Sequence, residues 1–380
     1  MAPEGKSRKP ANTAFKQQRL KAWQPILTPK TVLPTFFIVG IIFAPLGGLL
    51  LYASNNVSEM IIDYTYCDSQ APISPELGNI PSEFVNSYFS QSNSTSAKWS
   101  RLVTEPKEKN FTGENIWSCR LQFTIPSELK PPIFLYYRLT NFYQNHRRYV
   151  KSFDANQLKG DAVPVGTLKA GNCKPLGESD NQLAIYPCGL IANSMFNDTI
   201  NNFTLLNPTG GTNESESYEF SQSNIAWPSD KQKYGKTQYK PSEIVPPPDW
   251  ANRYPNGTYT DEYPPPDIST DEPFQVWMRT AGLPDFRKLY GRNDSSILKA
   301  GTYEVVIDYK FPVTRYGGTK SLVVSTVSFL GGRNPFLGIA YIVSGVICVL
   351  FGCIFTARHL YKPRKLGDHT YLSWNNQPAK

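Results

Sequence analysis

VLPTFFIVGIIFAPLGGLLLYA, from Val32 to Ala53, is an uncharged apolar run of about 22 residues. At about 1.5 Å per residue a helix of that length reaches roughly 33 Å, enough to cross a hydrocarbon core of about 30 Å. A second uncharged run, NPFLGIAYIVSGVICVLFGCIFT, extends from Asn334 to Thr356. A cleaved signal peptide fits the first run poorly: its basic leader is too long and its apolar core exceeds the usual 7–15 residues or so. Two transmembrane helices are therefore expected, at 32–53 and 334–357.

The chain carries a formal charge of +8, unevenly spread. Residues 1–31 hold seven Lys and Arg against Glu4, and residues 358–380 hold five against Asp368. The tails thus contribute +6 and +4 and leave the middle at −2. Basic residues beside both outer ends of the spans place both termini in the cytosol and residues 54–333 in the lumen or outside. Nucleic acid is excluded as a partner class, because the acidic middle lacks the basic, groove-tracking surface such binding needs.

Cys67, Cys119, Cys173 and Cys188 fall between the spans, in an oxidising compartment on this topology. Four cysteines allow three pairings; pairing in chain order, Cys67 with Cys119 and Cys173 with Cys188, is the expectation. Asn-x-Ser/Thr sequons at Asn93, Asn110, Asn197, Asn202, Asn213, Asn256 and Asn293 also lie there and are expected to carry glycan. An eighth, Asn56, is too close to the bilayer.

Alternating polar and apolar residues dominate the region between the spans. Leu121–Ile125, Ile133–Leu139, Tyr303–Phe311 and Lys320–Phe329 read as strands. Gly317-Gly318 predicts a tight hairpin joining the last two. From Asn201 to Asp271 the pattern lapses into polar residues and the proline runs 246–248 and 264–266, which predicts a surface insertion rather than sheet. The expected fold is two transmembrane helices plus a mainly antiparallel, sandwich-like β ectodomain with long loop insertions. In the spans, Gly40, Ala44 and Gly48, and Gly338, Gly345 and Gly352, form small-residue stripes suited to close helix packing against each other and against a membrane partner.

Catalytic signatures are missing. Of three histidines only His146 lies between the spans, and no Gly-x-Ser-x-Gly elbow, Walker loop or His-Glu-x-x-His occurs. No cofactor, no metal site and no enzymatic activity are expected.

Five stretches resemble one family: PANTAFKQQRLKAWQP from Pro10, YYRLTNFYQNHRRYV from Tyr136, YPCGLIANSMFND from Tyr186, WMRTAGLPDFRKLY from Trp277 and GDHTYL from Gly367. They are similar to the cell-division-cycle-fifty, or ligand-effect-modulator, proteins, β-subunits of type IV P-type ATPase lipid flippases. The resemblance implies a heterodimer with such an ATPase, which carries the chemistry. It also implies an ectodomain over the ATPase's exoplasmic loops and an N-terminal tail along its cytosolic face. It implies a role in the ATPase's folding, endoplasmic-reticulum exit and activity. Asn12, Phe15, Lys16, Gln17, Arg19 and Trp23 of the tail are expected to touch the partner, as are Asn141, Tyr143 and Arg147 of the ectodomain. A free-standing receptor or adhesion glycoprotein and a membrane-anchored ectoenzyme are the other readings.

Overall fold

Two helices carry the apolar runs. The first, Pro29–Asn55, and the second, Phe336–Tyr361, are each long and apolar enough to cross a membrane. The computed structural model describes residues 11–22, 27–89, 96–104, 116–208, 215–328 and 331–363. The first helix begins before the apolar run because proline is tolerated in a helix's opening turn, where its missing N–H has no partner to lose. The chain divides into two units, 1–52 with 335–380, and 53–334.

The second unit is built on two antiparallel sheets, with strands numbered in chain order. One sheet has the order β12 (Phe286–Asn293), β6 (Ile133–Leu139), β14 (Lys320–Ser325), β1 (Glu59–Asp63), β3 (Val85–Tyr88). The other has the order β10 (Glu216–Tyr218), β9 (Phe203–Leu205), β13 (Gly301–Tyr309), β5 (Ile116–Ile125), β4 (Ala97–Thr104), β2 (Gly78–Asn79), with β8 (Thr199–Ile200) also on β13. A short parallel pair joins β7 (Ala184–Ile185) to β11 (Ile244–Val245).

Strand alternation fixes which face is buried. On β6, Ile133, Leu135, Tyr137 and Leu139 point inward, while Phe134, Tyr136 and Arg138 stay half-exposed. Met60, Ile62, Leu135, Leu322 and Val324 of one sheet share a core with Trp99, Leu121, Phe123, Val305 and Ile307 of the other. This is a sandwich, as the alternation predicts.

The expected hairpin does not form. β13 pairs with β5, β8 and β9, whereas β14 pairs with β1 and β6 in the opposite sheet. The segment between them is a crossover, with a 3-10 turn at Thr314–Tyr316 and Gly317 at φ +66°. Gly318 is there for proximity: a Cβ would lie 2.6 Å from the Thr140 carbonyl. β14 is buried on both faces, which suits a central strand better than half of a hairpin.

The described residues within 201–271 are largely irregular in backbone, yet they do more than decorate the surface. They supply β9, β10 and β11, and their Ile244, Trp250, Tyr259 and Ile268 are buried in a second core with Tyr137, Leu139, Tyr186, Phe274 and Trp277. Proline bars ladder hydrogen bonding but not side-chain burial.

Candidate partner-binding surfaces

The two apolar helices pack through their glycines. A Cβ on Gly345 would lie 3.0 Å from the Ala44 nitrogen, one on Gly338 2.8 Å from the Leu51 nitrogen, and one on Gly352 3.0 Å from the Phe37 ring. Gly40 abuts Val349 and Gly345 in return. The expected Gly48 contact is not made: nothing lies within 4 Å of a Cβ there, and Gly47 takes the place against Gly338 and Ile342. Helical geometry explains the shift, since seven residues from Gly40 return to within about 20° of its direction and eight overshoot by about 80°. Phe43 against Tyr341, and Phe36 against Phe351 and Phe355, line the seam with rings 5.0–6.3 Å apart. The stripes are therefore spent largely on one another, and Gly48 remains open.

In the N-terminal tail, Arg19 donates to Asn12 Oδ1 and the Lys16 amide donates to Thr13 Oγ1. The Gln17 amide reaches the Thr13 carbonyl, and Phe15 is exposed. Trp23 lies outside the described residues.

The segment after β6 divides its work. Asn141 has φ +54°, a conformation asparagine tolerates, and its Nδ2 donates to the Tyr316 carbonyl at 2.6 Å. Phe142 packs on Tyr149, Trp277, Phe286 and Tyr316, and Gln144 is fully buried. Tyr143, Arg147 and Arg148 face solvent. Asn141 thus braces the crossover while remaining exposed, as Tyr143 and Arg147 are.

Lys288, which no sequence signal singled out, is buried on β12 among the backbone of the short helix Glu272–Met278 and the turn beyond it. Its Nζ donates to the carbonyls of Val276, Trp277 and Arg279 at 2.9, 2.7 and 2.6 Å. Burial, and then the charge of Arg279, lowers its pKa to about 7. Three acceptors for three N–H bonds favour the ammonium and oppose that shift.

Disulfides join Cys67 to Cys119 and Cys173 to Cys188. Next to the latter, Gly189 has φ +98°, and a Cβ there would strike the Ser152 carbonyl. Among the sequons, Asn202 and Asn256 are exposed. Asn293 is half-buried and donates Nδ2 to the Glu219 carbonyl at 2.8 Å, and Asn197 is half-buried with its Oδ1 enclosed. Asn93, Asn110 and Asn213 lie outside the described residues.

Two helices long and apolar enough to cross a membrane, an antiparallel β domain between them in the chain and two disulfides define a class: a two-span membrane protein. The model of the LEM3 (ligand-effect modulator 3) family / CDC50 family matches residues 50–365, and the chain belongs to that family. It is 45% identical over 371 residues to the phospholipid-transporting ATPase accessory subunit CRF1 of Saccharomyces cerevisiae, covering 98% of this chain and 90% of that one. It is 43% identical over 378 residues to the phospholipid-transporting ATPase accessory subunit CDC50 of Chaetomium thermophilum, covering 98% and 92%. Against cell cycle control protein 50A of Mus musculus the identity is 40% over 375 residues, covering 94% and 91%.

Proposed function

We propose that this chain is the non-catalytic accessory subunit of a phospholipid-transporting P-type ATPase, with which it forms a heterodimer. The observation that carries this is its similarity, nearly end to end, to a protein named as such a subunit. The ATPase moves phospholipid from the exoplasmic to the cytosolic leaflet, and the accessory chain supports its folding, its exit from the endoplasmic reticulum and its activity. Both termini (1–31 and 358–380) are cytosolic and residues 54–333 lumenal, which puts the disulfides and the glycosylated sequons in the oxidising compartment. The complex resides in the membranes of the endoplasmic reticulum and the Golgi or endosomes, with the plasma membrane as the further alternative. The tail residues Asn12, Phe15, Lys16, Gln17, Arg19 and Trp23 dock on the ATPase's cytosolic face, and Gly48 offers the helix pair's open notch to it.

Affinity purification of the tagged chain from detergent-solubilised membranes, with mass spectrometry of what accompanies it, tests the reading. A near-stoichiometric P-type ATPase is expected. Recovery of the glycosylated chain alone at the cell surface would overturn it in favour of a free-standing receptor.

A further inference from the structure

Among the described residues, the last two strands of the chain are both interior strands. β13 lies between β9 and β5 in one sheet, and β14 lies between β6 and β1 in the other. Without β14 its sheet separates into β12 with β6 and β1 with β3. Without β13 the other separates into β10 with β9 and β5 with β4 and β2. Three of those four pieces are two-stranded, and such pairs are at best marginally stable in water.

Residues 301–325 also fill both cores. Tyr303, Val305 and Ile307 of β13 and Leu322 and Val324 of β14 enter the core between the sheets. Phe311 and Val313 of the crossover enter the second core, and every residue of β14 is buried. Polar connections converge on the same segment. The Lys320 amide donates to Thr65 Oγ1 at 2.8 Å, the Tyr64 amide donates to the Lys320 carbonyl at 3.1 Å, and Lys320 Nζ reaches Asp198. Just beyond β14, the Ser58 amide donates to Thr326 Oγ1 and the Thr326 amide donates to the Ser58 carbonyl, across 268 positions of sequence.

The partners of this segment are made long before it. At about 5–20 residues per second, β1 waits roughly 13–54 s for β14. Through that interval the facing edges of β1 and β6, and of β9 and β5, stand open, a state that invites wrong pairing. β14 ends at Ser325 and the second apolar helix begins at Phe336. On the topology proposed above, β14 therefore reaches the lumen only as that helix reaches the membrane.

We propose that residues 301–325 are a closing segment: the sandwich stays open until β13 and β14 insert between strands already made, which couples closure of the ectodomain to membrane insertion of the second helix. The proposal rests on the lumenal placement of residues 54–333 and not on the ATPase. It also explains how a sequon that ends half-buried is reached. Asn197, whose Oδ1 is enclosed in the closed domain, directly precedes Asp198. Its sequon stays open to a glycosylating enzyme for as long as Asp198 waits for Lys320, 122 positions downstream.

Synthesis of the full chain into microsomal membranes, arrested with residues through 312 or through 333 in the lumen, tests this by limited proteolysis after mild detergent. A resistant ectodomain is expected on the longer chain and its complete loss on the shorter. A resistant ectodomain on the shorter chain would overturn the proposal. Both chains should carry glycan, and its absence from both would overturn the lumenal placement and the coupling to insertion with it. In the finished full chain, hydrogen exchange should release the amides of β1, β6 and β14 together, in one cooperative opening. If β1 and β6 stay protected while β14 exchanges, the closing role is wrong. Neither measurement requires the ATPase, so each outcome is separate from that of the purification above.

Discussion

Lys320 Nζ lies 2.6 Å from Asp198 Oδ2, and neither side chain has any exposure to solvent. Asp198 also accepts from Tyr64 Oη at 3.0 Å and from the amides of Lys310 and Phe311 at 2.6 Å. Lys320 donates in turn to the Phe311 carbonyl at 2.8 Å and rests on the Tyr309 ring. One ion pair therefore pins the end of β1, the exit of β13, the start of β14 and the segment before β8. This is where the chain crosses from one sheet to the other.

Removing one partner of such a pair leaves an uncompensated buried charge, a loss of about 3–5 kcal/mol. Asp198→Asn and Lys320→Met should each sharply reduce the yield of folded chain and lower its melting temperature. The double variant should lose less than the sum of the two, because it strands no charge. Strict additivity would show that the two residues act independently.

Lys288 makes stability depend on pH with a definite sign. Its folded pKa of about 7 lies below the value near 10.4 of an unfolded lysine, so between those limits the unfolded chain binds more protons. Its contribution therefore rises with pH from about 7 to about 10, by up to about 1.4 kcal/mol per unit. Melting of wild type and Lys288→Met at pH 6.5 and pH 9, values chosen about either side of the lower limit, checks this. The gap between the two should move in favour of wild type at the higher pH; parallel responses would refute it.

The glycine seam discriminates neighbours. Gly47→Leu should separate the helices, since even a Cβ there would lie 2.7 Å from the Gly338 carbonyl, whereas Gly48→Leu should leave the pair intact. Disulfide trapping between cysteines placed along the seam reads this directly. Loss of ATPase with Gly48→Leu, at unchanged trapping, would mark the open notch as a contact with the partner.

Cys173 and Cys188 close a loop of 15 residues, which in the chain-entropy model restricts the unfolded state by about 3 kcal/mol. Cys173→Ser or Cys188→Ser should lower the yield of complex more than the turnover of the complex that forms. Normal yield of either variant would remove the disulfide's stabilising role.

Much of the architecture is legible in the residues. The uncharged runs, the alternation of β6 and the glycine stripes each report a period that one element imposes on its own sequence. The site is less legible. Tyr143 and Arg147 stand in a string that the family resemblance picks out, but the same string contains Asn141, whose side chain is spent on Tyr316. Lys288 reads as one more polar residue in a half-buried strand, and nothing local announces that three carbonyls converge on it.

The sequence by itself determined the two spans, the family, and the antiparallel character of the domain between them. These depend on length, charge and periodicity, which act along the chain. The tertiary structure alone decided that β13 and β14 part to opposite sheets, that Gly47 and not Gly48 meets the second helix, and that three carbonyls of 276–279 converge on Lys288. Each of those depends on which distant segment arrives beside a residue, and burial across the sandwich and helix seam outweighs the local turn preference of Gly317-Gly318.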